Sequence, residues 1–474
     1  MNAAMTRSPP CILLYNPISG HGHLDSWNAF FAGFLLQGGY RVLALTPDRS
    51  VLQQALDRVG LTAHPRLCVL DWNEGYYGLK AYTERLRKAW RQWMIYAEDY
   101  ANKGQATRPV STMPVRTRVK KRCLQVIIPS LYHLGRCLHA ALCRNRAAPG
   151  PHKRAKEFEE INLLDPAEIG FRIARAVKAA PWRPDVLFNM YMDLYKIGAQ
   201  PWNEFAAACR LPWAGIRFVP SDTAQESYYA LPSLRGMCFL DESFCQQYRR
   251  LLPEKYFEHL PDITNVDLPD NSFPLAETVL ERAAGRRIVF LGGSIGGHKN
   301  IGQWCRLISL ADPKCWFFIQ IGEMHKNTLS ADDIAAYKQL TADAPGNVLL
   351  YERYMADERE FNALINLSDV IFAVYRDFRI SSNMLVKAAV FEKPILVSDR
   401  HLMGERVRRY GIGLGVPEEN PRAMLYGLEK LILNPMPSKN FAAFRSDSSA
   451  KVMADRLEGF FDRILGAKSF SATT

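Results

Sequence analysis

Several signals that would assign a protein class at once are missing from this chain of 474 residues. No uncharged apolar run of about 18–20 residues occurs, so we expect no helix that spans a bilayer. The ten cysteines include no C-x-x-C pair, which argues against a zinc knuckle or a disulfide framework and favours reduced, mostly buried thiols. The N-terminal residues lack a basic stretch followed by a long apolar core, so we expect no export signal and a cytoplasmic protein.

The residues that are present have the composition of ordinary globular domains. Hydrophobic residues make up 48 % of the chain and charged residues 23 %, which excludes a disordered or collagenous chain. Short apolar runs alternate with amphipathic stretches, and this alternation predicts α/β domains in which helices cover parallel sheets. We therefore predict two Rossmann-like, doubly wound domains that face each other across a cleft. The predicted order is an N-terminal domain over residues 1–262, a linker over 263–286, a C-terminal domain over 287–440 and a final helix over 441–474 that crosses back.

The positive charge of the chain is concentrated in one segment. The formal net charge is +12, yet residues 80–156 alone hold 18 Lys and Arg against three acidic residues. Apolar residues that include Trp90 and Trp93 recur there at helical spacing between basic ones. This pattern predicts an insertion over about 79–157 that contacts an anionic membrane surface, because basic and aromatic side chains together favour the lipid interface. The alternative is a pair of core-packing helices. Since no recognition motif accompanies the charge, we predict no nucleic-acid partner.

Two predicted strands end in glycine-rich turns that precede helices. The first turn covers residues 17–23, and the second covers residues 292–300 and includes Lys299. Glycine lets the backbone adopt positive φ and approach a ligand, and a following helix N-terminus offers unpaired N–H groups to phosphate. Neither turn matches the P-loop or the G-x-G-x-x-G fingerprint. Each turn is therefore either a phosphate-binding turn of another kind or a tight turn without a ligand.

A longer pattern follows the second turn. A helix-like segment ends in Ser368-Asp369-Val370, and Ser382-Asn383-Met384-Leu385 begins a helix that leads through Lys393-Pro394 into a strand. With the turn that contains Lys299, this order of features over about residues 287–433 resembles the nucleotide-sugar-binding domain of GT-B glycosyltransferases, particularly family 4. The resemblance implies the GT-B fold, a nucleotide sugar as the donor substrate and no separate cofactor.

The same resemblance implies which residues hold the donor. In that family the glycine-rich turn and the start of the later helix hold the donor diphosphate. The donor-binding residues predicted on this basis are Gly292, Gly293, Ser294, Gly296, Gly297, Lys299, Arg379, Ser382, Asn383, Met384, Leu385 and Lys387. The two glutamates of the family fall on Arg379 and Lys387, so its retaining mechanism is not carried over. An arginine usual in the turn is also missing, and its place falls near Ser294.

Sugar transfer needs either a base for the acceptor hydroxyl or stabilisation of the leaving diphosphate. We predict Asp222, after a predicted strand over Gly215–Val219, as the first candidate base and His23 as the second. Asp193 is a further candidate. Lys299 is the candidate that stabilises the leaving group, and the absence of a D-x-D motif favours an enzyme without a metal. The residues predicted to bind the acceptor are Gly20, His21, Gly22 and His23.

The leading hypothesis is a glycosyltransferase that moves a sugar from a nucleotide sugar to a lipid-linked or polysaccharide acceptor, as a peripheral protein at the cytoplasmic membrane face. The first alternative is a non-catalytic nucleotide-binding or scaffold protein of the same fold, because both family glutamates are replaced. The second is a lipid kinase, because Asn16-Pro17-x-Ser19-Gly20 resembles the start of diacylglycerol and sphingosine kinases. That family also needs a Gly-Gly-Asp-Gly-Thr stretch, which the chain lacks.

Overall fold

The computed structural model describes residues 8–18, 23–61, 63–71, 164–195, 198–264, 267–270, 272–355 and 357–466. The predicted basic insertion over 79–157 therefore lies outside the described residues. Two parallel sheets, each covered by helices, account for most of the described part, as the alternation of apolar runs predicted.

The first sheet has seven parallel strands in the order β3-β2-β1-β4-β5-β6-β7. Its strands are β1 (Cys11–Tyr15), β2 (Arg41–Thr46), β3 (Leu67–Asp71), β4 (Val186–Asn189), β5 (Trp213–Arg217), β6 (Leu234–Phe239) and β7 (Tyr256–His259). Its helices are α1 (His23–Gln37), α2 (Arg49–Arg58), α3 (Pro166–Ala179), α4 (Ala199–Cys209) and α5 (Glu242–Leu251). The central strand β1 is buried along its whole length, which explains its unbroken apolar sequence.

The second sheet has six parallel strands in the order β10-β9-β8-β11-β12-β13. Its strands are β8 (Arg287–Gly292), β9 (Trp316–Ile321), β10 (Val348–Tyr351), β11 (Val370–Ala373), β12 (Ile395–Ser398) and β13 (Gly413–Val416). The helices after β7 are α6 (Pro274–Ala283), α7 (Ile301–Leu310), α8 (Ala331–Asp343), α9 (Glu358–Leu367), α10 (Asn383–Val390), α11 (His401–Tyr410), α12 (Pro421–Leu433), α13 (Ser438–Asp447) and α14 (Ala450–Leu465).

The last helix belongs to the core of the first sheet. Phe460 and Phe461 of α14 lie against Phe188 of β4, with ring centroids 6.2 and 5.4 Å apart. Tyr40, which precedes β2, donates a hydrogen bond to Asp462 over 2.6 Å. The chain thus forms the first sheet, then the second, and returns to complete the core of the first.

Three elements differ from what the sequence pattern predicted. The prediction of a single final helix over 441–474 was wrong, because α13 ends at Asp447 and Ser449 caps a new helix, α14. Helix α6 lies inside the predicted linker over 263–286. Strand β13 was not predicted, since glycine is a poor strand former. Its first residue, Gly413, nevertheless has to be glycine, because a Cβ atom there would lie 1.9 Å from the carbonyl oxygen of Ile395.

Each sheet has one point at which the direction of strand order reverses. In the first sheet it lies between β1 and β4, and in the second between β8 and β11. In open parallel sheets such a point opens a crevice at the carboxyl ends of the strands, where ligands bind. Among the helices described here, none is long and apolar enough to cross a membrane.

Candidate functional site

The crevice of the second sheet lies between the turn after β8 and the loop after β11. Gly293 in the turn has a φ of +96°, and Gly322 after β9 has a φ of +136°, values that L side chains rarely adopt. A Cβ atom at position 322 would lie only 1.9 Å from the carbonyl oxygen of Gly293. Glycine is therefore required at both positions so that the two loops can approach each other.

Lys299 spans this crevice. Its ammonium group donates a hydrogen bond to the carbonyl oxygen of Gly292 over 3.1 Å and another to the hydroxyl of Tyr375 over 2.6 Å. Gly292 ends β8, and Tyr375 lies in the loop after β11, so the side chain joins the two walls. Lys299 is only 6 % exposed, and among the described residues no carboxylate forms an ion pair with it. A buried cation without a carboxylate partner is suited to hold an anion.

Some backbone N–H groups of the glycine-rich turn donate hydrogen bonds to the neighbouring loop after β9. The N–H of Ile295 donates to the carbonyl of Glu323 over 2.9 Å, and the N–H of Gly297 donates to the hydroxyl of Thr328 over 3.0 Å. A Cβ atom at position 297 would lie 2.4 Å from the carbonyl oxygen of Thr328. Packing alone therefore explains Gly297, and the exposed Ser294 precedes both of these hydrogen-bonded positions. The predicted donor contacts of Ser294, Gly296 and Gly297 stay predictions.

The second wall of the crevice leads into the start of α10. Ser382 caps this helix, and its hydroxyl accepts a hydrogen bond from the N–H of Met384 over 3.3 Å. Met384 and Leu385 point into the core, so that only their backbone atoms could contact a ligand, while Asn383 is partly exposed. A helix start carries a partial positive charge and favours anions.

The two basic residues at the positions of the family glutamates lie in different surroundings. Lys387 is 1 % exposed and donates hydrogen bonds to Glu358 over 2.7 Å and to Asn362 over 2.6 Å. Burial lowers the pKa of Lys387, and the charge of Glu358 opposes this shift. Its ammonium group is thus bound within the domain, and these contacts do not support its predicted role as a donor ligand. Arg379 is exposed, with its guanidinium 3.8 Å from Asp377, and its role stays a prediction.

Two carboxylates that the sequence pattern did not indicate, Asp333 and Glu418, fix the loop after β11. Asp333 of α8 receives both terminal nitrogens of Arg376 at 2.9 Å. Burial raises the pKa of Asp333, but hydrogen bonds from Arg376 and its other partners outweigh this and lower the pKa to about 2. Glu418 accepts from the N–H of Asp377 over 2.8 Å and from the hydroxyl of Ser398 over 2.7 Å. No local sequence pattern predicts these contacts, because the partners lie far apart in the sequence.

The crevice of the first sheet lies between the ends of β1 and β4. Of the residues predicted to bind the acceptor, Gly20, His21 and Gly22 lie outside the described residues. His23 begins α1, but its side chain is also outside the described part. Asn16 follows β1, is fully buried, and accepts a hydrogen bond from the N–H of Ile18 over 3.3 Å.

Asp193, a candidate base, fixes the loop that follows β5. Its carboxylate accepts hydrogen bonds from the N–H groups of Phe218 and Val219 over 2.8 and 2.9 Å. Arg217 lies 3.6 Å from Asp193 and also forms an ion pair with Glu226. Burial raises the pKa of Asp193, while these hydrogen bonds and Arg217 oppose that shift. The contacts of Asp193 are those of a residue that holds a loop in place.

Asp222 lies in the loop that Asp193 and Arg217 hold. The residue is exposed, and its carbonyl oxygen accepts a hydrogen bond from the side chain of Gln247 over 2.5 Å. Strand β5 begins and ends two residues earlier than predicted, so Asp222 lies five residues beyond its end. Within the described ranges, no group of three His, Cys, Asp or Glu side chains could hold a metal ion.

Comparison with solved structures identifies the arrangement of the two domains. A glycosyltransferase from Rickettsia africae is 10 % identical and has a TM-score of 0.58, over 98 % of this chain and all of that one. The fold is GT-B. HepE of Anabaena, solved with UDP and glucose, is 10 % identical with a TM-score of 0.57 over 96 % of this chain and all of its own. Sucrose-phosphate synthase of Thermosynechococcus elongatus is 12 % identical with a TM-score of 0.55 over 97 % and 100 %.

These similarities confirm the predicted GT-B fold. No protein-family model matches the sequence, and no curated protein sequence matches it either. The prediction that Lys299 and Asp222 belong to one site in the cleft between the two domains stays a prediction.

Proposed function

We propose that this protein is a glycosyltransferase that takes a sugar from a nucleoside-diphosphate sugar. The observation that carries the proposal is Lys299, a buried cation that joins the turn after β8 to Tyr375, in the loop that leads to the start of α10. An ammonium group and backbone N–H groups are what a diphosphate needs for binding. The likeness in fold to HepE, which was solved with UDP and glucose, supports this choice of ligand.

In the proposed reaction, the bond between the sugar's anomeric carbon and the diphosphate oxygen breaks while the acceptor oxygen bonds to that carbon. Negative charge develops on the leaving diphosphate, and Lys299 with the N–H groups at the start of α10 would stabilise it. Asp222 is the proposed base that accepts the proton of the acceptor hydroxyl, with His23 as the second candidate. The cationic groups proposed here belong to the chain itself, so the proposal includes no metal ion.

The proposed acceptor is lipid-linked or a polysaccharide, reached at the cytoplasmic face of a membrane. The charge of residues 80–156 supports this part of the proposal, because 18 basic residues there stand against three acidic ones. Each Lys or Arg near an anionic bilayer adds about 1 kcal/mol of attraction. A test is sedimentation with vesicles of phosphatidylcholine alone and with 30 % phosphatidylglycerol. Binding that needs the anionic lipid and is lost at high salt supports this location, and equal binding to both vesicles contradicts it.

The second candidate function is nucleotide binding without transfer. The observation in its favour is that Arg379 and Lys387 occupy the positions of the family glutamates, and that Lys387 is bound to Glu358. In this case the crevice would hold a nucleoside diphosphate, but no sugar would leave the donor.

The experiment that separates these functions begins with titration calorimetry of the whole chain against UDP, GDP, TDP, CMP, ADP and ATP, without metal. Binding of one nucleoside diphosphate names the donor class. The matching nucleotide sugar is then incubated with the protein, and release of the diphosphate is measured for the natural chain, for Asp222→Asn and for the control Asp57→Asn, which changes an exposed aspartate of α2. Turnover that Asp222→Asn alone removes supports the transferase.

Other outcomes overturn the proposal in distinct ways. Diphosphate binding without turnover of any nucleotide sugar favours the non-catalytic function. Binding of ATP alone, followed by phosphorylation of a lipid, favours the kinase hypothesis. No binding across the panel removes the proposed donor site.

A further inference from the structure

One arginine joins the start of α10 to the first sheet. Arg406 lies in α11, and one terminal nitrogen of its guanidinium donates to the hydroxyl of Ser381 over 2.6 Å. The other terminal nitrogen donates to the carbonyl oxygen of Leu240 over 2.6 Å. Ser381 precedes the residue that caps α10, and Leu240 directly follows β6. The side chain thus contacts both halves of the GT-B fold.

The two residues that Arg406 joins are shielded from water. Ser381 is 7 % exposed and Leu240 is 4 % exposed, so both acceptors are largely removed from water. Burial lowers the pKa of Arg406, and the charges of Asp262 and Asp241 oppose this shift. Hydrogen bonds from a charged donor are stronger than neutral ones and are costly to lose when the acceptors are buried.

A neighbouring arginine shows what sets Arg406 apart. Arg409 on the same helix also reaches the first domain, where it lies 3.3 Å from Glu242. Those two side chains are 60 % and 46 % exposed, and an exposed ion pair adds little. A cavity of about 400 Å³ lies beside both arginines.

We propose that Arg406 is a positioning residue that fixes the start of α10 relative to the carboxyl edge of the first sheet. It contacts neither substrate and acts through Ser381 and Leu240. Since α10 is the proposed diphosphate-binding helix, the inference rests on the proposed function. It adds that the donor site is completed by a contact from the other domain.

The test uses the full chain in six forms: natural, Arg406→Met, Arg406→Lys, Ser381→Ala, the double variant Arg406→Met with Ser381→Ala, and the control Arg408→Met. Arg408 lies on the same helix and donates a hydrogen bond to the carbonyl of Asp399 within the second domain. The control substitution therefore removes an arginine from α11 but keeps the contact of Arg406 with Ser381 and Leu240. Hydrogen–deuterium exchange at residues 383–386 reports on the start of α10. Calorimetry with the nucleoside diphosphate that binds the natural chain reports on the site.

We expect exchange at residues 383–386 to be about fivefold faster in Arg406→Met and in Ser381→Ala, and unchanged in Arg408→Met. Diphosphate affinity should fall about tenfold in Arg406→Met. The double variant should bind no more weakly than Arg406→Met, because both substitutions break one interaction. Arg406→Lys should restore part of the affinity.

Three results would overturn the inference. They are unchanged exchange at residues 383–386, faster exchange spread evenly over the chain, and additive losses in the double variant. If Arg406→Met fails to fold, Ser381→Ala still decides, because it keeps the arginine and removes only one acceptor. If the natural chain binds no nucleoside diphosphate, the proposed function fails, and exchange alone then decides whether Arg406 positions α10.

Discussion

The crevices of the two sheets are built alike but differ in charge. In each, a carboxylate holds a loop at the carboxyl edge: Asp193 accepts hydrogen bonds from the backbone after β5, and Glu418 accepts one from the backbone after β11. In the first crevice the basic residue, Arg217, is paired with Glu226 and Asp193. In the second, Arg376 is likewise paired, with Asp333, whereas the partners of Lys299 are a carbonyl and a tyrosine hydroxyl.

The difference indicates a division of labour between the domains. A cation paired with two carboxylates is neutralised and stabilises its loop, whereas a cation with neutral partners keeps its charge for a ligand. We infer that the first crevice presents a rigid loop with Asp222, and that the second supplies the electrostatic attraction for an anionic donor.

Removal of Arg217 should affect stability far more than binding. Arg217→Met leaves the carboxylates of Asp193 and Glu226 buried without their cation, which should lower the free energy of unfolding by about 3–4 kcal/mol. Urea unfolding followed by tryptophan fluorescence measures this, since Trp213 is fully buried in the same strand. The control is Arg235→Met, an exposed arginine in β6. A loss below about 1 kcal/mol would contradict the paired role of Arg217.

Removal of Lys299 should affect binding far more than stability. Lys299→Met removes the charged hydrogen-bond donor from the second crevice, so the affinity for a nucleoside diphosphate should fall about 100-fold, or about 2–3 kcal/mol. Calorimetry measures the change. Lys314→Met, an exposed lysine before β9, is the matched control. If Lys299→Met binds as well as the control does, the donor site lies elsewhere.

The carboxylate network of the second domain predicts a dependence of stability on pH. Because the pKa of Asp333 is about 2 in the folded chain and near 3.8 when unfolded, its stabilisation is complete above about pH 5 and is lost as the pH falls through 2. Asp333→Asn should therefore cost about 2 kcal/mol at pH 7, about half of that at pH 3, and little below pH 2. Urea unfolding at pH 7, 4 and 3 tests this against the exposed neighbour variant Asp332→Asn. A cost that stays constant with pH would refute it.

The smallest effect is expected for the partner of Lys299 across the crevice. Tyr375→Phe keeps the ring but removes the hydroxyl that orients the ammonium group, so diphosphate affinity should fall about fivefold, or about 1 kcal/mol. Calorimetry beside Lys299→Met shows whether the two substitutions act on one interaction. Tyr40→Phe, which removes a tyrosine hydroxyl in the first domain, is the control. A gain in affinity would mean that Tyr375 competes with the ligand for Lys299.

Local sequence patterns predicted the fold more fully than the site. Strands such as β2 and helices such as α5 follow from the spacing of their own residues, and two sheets follow from their alternation. The contact of Lys299 with Tyr375 joins residues 76 positions apart, and Lys387 donates a hydrogen bond to Glu358 on another helix. Such contacts depend on how the elements pack, which spacing within one element does not specify. Gly297 shows the same limit, because a packing glycine and a phosphate-binding glycine look alike in sequence.

The return of α14 to the first sheet has a consequence for synthesis on the ribosome. Phe460 and Phe461 leave the ribosome only after the whole second domain has been made, and until then the apolar surface around Phe188 stays uncovered. The second domain can therefore complete its core on the nascent chain before the first domain does. The half that is translated first is finished last, and its open core is the surface that a chaperone would meet during translation.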